Sequence, residues 1–77
     1  MQTTDTSRSI ARAVSAALRG AGIAQREAAD ITGIPMSTLG RRLTGKKPFN
    51  TDELDMLASI AGTTVIRIMR DATGDQS

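Results

Sequence analysis

Glycines at positions 20, 22, 33, 45 and 62 cut this 77-residue chain into short pieces. Each piece repeats its aliphatic residues at helical spacing, and none alternates polar and apolar residues as a strand does. Glycine accepts the left-handed turn that follows a helix at little cost, so these positions read as helix stops. The chain is therefore expected to form five short helices and no sheet. The spacing predicts helices over about 8–19, 25–32, 36–43 and 65–72, with another running from a cap at Asn50 or Thr51 to Gly62. Residues 1–7 read as a flexible N-terminus, 8–72 as one domain and 73–77 as a tail.

The inward residues follow from the same periodicity. Ile10, Val14 and Leu18 recur every four residues among alanines 11, 13, 16 and 17, with Thr6 or Ser7 as the N-cap. Ile23 drops into the core just before the second helix, whose packing residues are Ala28, Ala29 and Ile31. Ile34 anchors the turn after Gly33, and Pro35 suits the first turn of the third helix, where Ser37 is a competing cap. Leu39 and Leu43 lie inward on that helix, and Gly40 in its middle marks a place where either another helix or DNA comes close. Leu54, Leu57, Ala58 and Ala61 form a stripe widened by Ile60, behind Asp52 and Glu53, which complement the positive end of the helix dipole. Thr63 or Thr64 caps the last helix, with Val65, Ile68 and Met69 on one side and Ile66 on another.

Composition excludes much chemistry. With no cysteine and no histidine there is no disulfide, no thiolate metal site, no usual zinc ligand and no usual general base. The only carboxylate cluster, Asp52, Glu53 and Asp55, has no nucleophile or base beside it, so no enzyme, cofactor or metal is expected. Phe49 is the one aromatic residue, too little for a base-stacking platform. No apolar run approaches the roughly 18 residues that span a bilayer, and the polar start lacks the apolar segment of a signal peptide, so the cytoplasm is the expected location.

Charge is unevenly placed. Residues 1–30 carry a balance of +1 and residues 52–77 a balance of −3, but residues 31–51 carry Arg41, Arg42, Lys46 and Lys47 with no acid, a balance of +4. A polyanion would meet one side of such a molecule. That basic stretch overlaps residues 25–45, where a short helix, a turn at Gly33 and a second short helix follow in order. This is the pattern of a helix-turn-helix, which lays its second helix in a DNA groove.

From Gln25 through Ala29, Gly33, Ser37-Thr38-Leu39 and Gly45-Lys46 to Asp52-Glu53-Leu54, the chain resembles the phage repressor and Cro class of helix-turn-helix proteins, also called the XRE class. The resemblance covers about residues 8–70. It implies an all-α, compact five-helix, lambda-repressor-like DNA-binding domain with the helix-turn-helix at helices 2 and 3. It further implies double-stranded operator DNA as partner, regulation of transcription and, commonly, a homodimer on a two-fold site. With 77 residues and no second domain, a Cro-like protein is favoured over a two-domain repressor. Two residues depart from the pattern: Arg42 and Thr32 stand where the class usually has apolar residues. Met36 and Gly40 are not the polar base readers of well-known members, so the operator does not carry over.

The candidate residues divide by role. Arg41 is the leading base reader, because guanidinium pairs bidentately with guanine O6 and N7; otherwise it is a solvated helix arginine. Ser37 and Thr38 either contact bases or phosphates or cap the third helix. Met36 lies against a thymine methyl or fills a gap. Gln25 is expected to touch phosphate and brace the third helix, as the resemblance implies. Lys46 and Lys47 are phosphate clamps or a solvated loop, and Arg42 buries its stem while its head reaches a phosphate. Arg26 meets phosphate or pairs with Asp30 one turn on. Asn50 and Thr51 offer the free amides of a helix start, although Asp52 and Glu53 argue for capping there. Val65, Ile66, Ile68 and Met69 exceed what one face of so short a helix needs and are the candidate dimer interface, or else a purely internal core. The rival to DNA binding is a protein-interaction module, an antitoxin or adaptor, using that last aliphatic helix.

Overall fold

In a computed structural model that describes residues 3–74, the chain forms α1 (Thr3–Gly20), α2 (Gln25–Thr32), α3 (Met36–Leu43), α4 (Thr51–Ile60) and α5 (Val65–Gly74). No strand occurs among the described residues. The centre of the core takes one large aliphatic side chain from each of four helices: Val14, Leu39, Leu57 and Ile68. The second helix contributes only Ala28 and Ala29 to this core. Those small side chains let α3 cross α2 closely, which is what a helix-turn-helix requires. Ile10, Ile23, Leu43, Phe49, Ile60 and Val65 pack around the rim of the core. No helix among the described residues is long and apolar enough to cross a membrane.

The turns close by backbone hydrogen bonds that the glycines permit. The Gly33 amide donates to the Ala29 carbonyl at 2.9 Å, with Gly33 in the left-handed region at φ +80°. After α3, the Lys46 amide returns to the Arg41 carbonyl at 3.0 Å and the Gly45 amide to Arg42 at 3.2 Å, the paired bonds of a Schellman cap.

Three expectations need correction. The first helix begins at Thr3, so Thr6 and Ser7 are interior residues rather than caps, and Ser7 and Ser9 are buried. The last helix continues to Gly74, two residues past its expected end at 72, and 75–77 lie outside the described residues. Ile31 is 56% exposed instead of packed inward. Its neighbours Ala28 and Ala29 already fill the space beneath α3, and the helix turns Ile31 to the outer side.

Candidate nucleic-acid interface

The first helix of the motif starts at Gln25 behind Ala24, and the second at Met36 behind Pro35; no side chain caps either one. The helices that follow differ. Asn50 Oδ1 accepts from the Glu53 amide at 2.7 Å while Glu53 Oε1 accepts from the Asn50 amide at 3.0 Å, a complete capping box. Thr64 Oγ1 accepts from the Arg67 amide at 3.1 Å and caps α5. The first amides of α2 and α3 thus keep no side-chain acceptor of their own, and their dipoles favour an anion. Ser37 does not cap α3.

The third helix is amphipathic across this surface. Leu39 is fully buried, while Met36 is 44% exposed, Ser37 and Arg41 are exposed and Thr38 is half-buried. No acid lies on this helix. Gly40 is the point of close approach: a Cβ there would stand 3.4 Å from Gln25 Nε2. The amide of the first residue of α2 therefore lies over the middle of α3, the bracing position that the resemblance implies for Gln25. The loop after α3 folds back on its last turn. The Arg41 carbonyl accepts from the amides of Lys46 at 3.0 Å and Lys47 at 3.4 Å and from Thr44 Oγ1 at 3.1 Å. Arg41, Lys46 and Lys47, all exposed, are thereby gathered at one end of α3.

Other candidates are placed differently. Arg42 donates from Nε to Glu53 Oε1 at 2.9 Å and from Nη2 to Oε2 at 3.5 Å, and both side chains are largely buried. Its guanidinium is engaged by a residue of α4 and is only partly open to solvent. Burial would raise the Glu53 pKa, but the Arg42 hydrogen bond, the Asn50 amide and the Arg42 charge outweigh it and hold the carboxyl below its ordinary 4.5. The Asn50 amide and side-chain oxygen are both used by the capping box, while Thr51 is exposed. Arg26 and Asp30 are exposed and make no ion pair with each other. On α5, Ile68 is 2% exposed and Val65 packs against the core, so the outward apolar residues are Ile66, 71% exposed, and Met69.

Thr32 and Arg42, the two departures from the apolar pattern, are both satisfied. Thr32 Oγ1 donates to the Ala28 carbonyl at 2.8 Å and accepts from the Ile34 amide at 3.3 Å, tying the end of α2 to the turn. The Arg42–Glu53 pair is the feature sequence reasoning missed. Its only signals are a charged residue in an apolar place and an acid at the third position of a capped helix.

Among the described residues no cluster of His, Cys, Asp or Glu is arranged to hold a metal. The family model of the antitoxin Xre-like helix-turn-helix domain matches residues 4–62. No curated protein sequence matches the chain. The crystal structure of the clp gene regulator ClgR from C. glutamicum is similar with a TM-score of 0.86, covering 94% of each chain at 18% identity, a likeness of fold. A braced, acid-free helix beside a basic loop is what a duplex-docking motif needs, and with the family match over most of its length the chain belongs to the Xre-like helix-turn-helix family, DNA-binding regulators of transcription rather than enzymes.

Proposed function

We propose that this chain is a sequence-specific regulator of the Cro-like or repressor-like kind, from a phage or prophage, that binds an operator through α3 in the major groove. The observation that carries this reading is the gathering of Met36, Ser37 and Arg41 on an uncovered face of α3 with Lys46 and Lys47 at its end. Arg41 reads a guanine edge, and Ser37, Thr38 and Met36 meet neighbouring bases or phosphates. Gln25, Lys46 and Lys47 engage phosphates and set the register, with Arg26 and Thr51 at the margins. Arg42 is left out of the phosphate set, because releasing it would strand Glu53. Repression by occluding polymerase follows from occupancy alone. Ile66 and Met69 supply the contact between two copies on a two-fold site.

Two substitutions separate reading from clamping. Arg41→Ala is expected to weaken operator binding by about 1–3 kcal/mol and relax preference at one base pair. Lys46→Ala is expected to weaken binding to every sequence and lower the salt slope by about 0.9. Anisotropy titrations on selected and scrambled duplexes check both, and wild-type binding by both variants would reject the assigned face.

The exposed Ile66 beside Met69 and the antitoxin in the family's description favour a second reading, a module that docks a protein partner through α5. That association would depend little on salt, and duplex DNA would not compete with it.

A further inference from the structure

Gly45 is buried with φ +83°, and it is pressed against the first helix rather than against solvent. A Cβ at this position would fall 2.8 Å from Arg8 Cγ, 3.1 Å from Arg8 Cα and 3.3 Å from Arg8 N. Backbone therefore meets backbone where α1 crosses the loop between α3 and α4, and the stem of Arg8 runs along that loop. The next two residues are Lys46 and Lys47. Arg8 is exposed, and no described residue forms an ion pair with it. The Glu53 carboxylate of α4 is already held by Arg42.

We infer that Arg8 is a phosphate contact of the DNA interface, so that α1 takes part in docking through a residue outside the helix-turn-helix. The inference rests on the DNA-binding reading above. A duplex strand presents a phosphate about every 3.4 Å of axis, so cations on either side of Gly45 can reach neighbouring phosphates of one strand. Arginine suits the task because its fork donates two parallel hydrogen bonds to phosphate oxygens. Gly45 then has a functional reason as well as a conformational one: it lets the helix carrying Arg8 approach the loop carrying the lysines.

The test is the salt dependence of binding to a fluorescein-labelled random-sequence duplex, measured by anisotropy in 50–200 mM KCl on the intact chain. Arg8→Met keeps an aliphatic stem against Gly45 and removes the charge; Arg8→Lys keeps the charge. Arg8→Met is expected to lower the slope of log K against log salt by about 0.9, with severalfold weaker binding at the low-salt end, whereas Arg8→Lys retains the wild-type slope. Arg70→Gln, on α5, is expected to leave it unchanged. A wild-type slope in Arg8→Met, or an equal loss in Arg8→Met and Arg8→Lys, overturns the proposal. If Lys46→Ala still loses its share of the slope in that case, the DNA-binding reading stands without Arg8. If the wild type itself shows no salt-dependent binding, both fall together.

Discussion

Glu53→Ala is expected to lower the unfolding free energy by about 3 kcal/mol, the sum of a lost N-cap partner and a charged hydrogen-bonded group left alone. The Glu53 carboxylate does two tasks at once. It accepts the Asn50 amide at the start of α4 and the Arg42 guanidinium from the end of α3. The Arg42 and Glu53 side chains are only 22% and 11% exposed, so water does little to replace the pair. In a domain of this size that loss is roughly a 10–25 °C fall in melting temperature. Arg42→Leu should also destabilise, by about 1–3 kcal/mol: the capping box stays and the leucine packs where the class usually has an aliphatic residue, but the largely buried Glu53 carboxylate is left without its cation. Adding Glu53→Ala to Arg42→Leu should then cost only the bond from the Asn50 amide, since the Asn50 Oδ1 cap on the residue-53 amide survives, and the shortfall from additivity measures the ion pair. The pH dependence has a definite sign. A carboxyl whose folded pKa lies below its ordinary 4.5 stabilises the fold above that value, and the contribution is lost as pH falls through the folded pKa. Chemical unfolding of wild type and Glu53→Ala should therefore converge in acid and differ fully at neutral pH.

Gly45→Ala is expected to destabilise the chain by about 2–5 kcal/mol. About 1–2 kcal/mol comes from placing a side chain in the left-handed region, and about 1–3 from forcing it into a packed neighbour. The neighbour includes the backbone of Arg8, which cannot move aside as a side-chain tip would. Gly33→Ala is the control, since its φ of +80° nearly equals the +83° of Gly45 but nothing lies within 4 Å of its added Cβ. Gly33→Ala should lose only the conformational part. Equal losses for the two variants would mean that α1 and the basic loop are not in the contact described.

Local signals were the legible ones. The bounds of α2 and α3 follow from Gly33, Pro35 and Gly45, because a left-handed stop and a fixed φ act on the chain where they stand. The start of α1 was not legible. Thr3, Thr4, Asp5, Thr6, Ser7 and Ser9 all suit an N-cap, and the choice among them depends on packing against the rest of the fold, which buries Ser7 and Ser9. Ile31 illustrates the same limit, because helical spacing gives a stripe but not which edge of it faces the core. Ile68 and Ile66 show it again on α5, where one is buried and the other outward. For the candidate site, the exposed face of α3 and its nearness to the lysines follow from periodicity and loop length. The Arg42–Glu53 pair spans eleven positions across a loop, and no period in the sequence joins such residues. Gln25 over Gly40 lies between: the resemblance suggested the brace, and the missing Cβ explains why the amide fits there.

The central claim is that the outer face of α3 is the surface that meets DNA. Amide chemical-shift mapping of the 15N-labelled chain against a duplex selected from random DNA tests it most directly. The account predicts the largest shifts at Gln25, at Met36–Arg41 and at Lys46 and Lys47. Saturable binding with those amides unmoved, or with shifts confined to the Ile66 and Met69 side of α5, would contradict it.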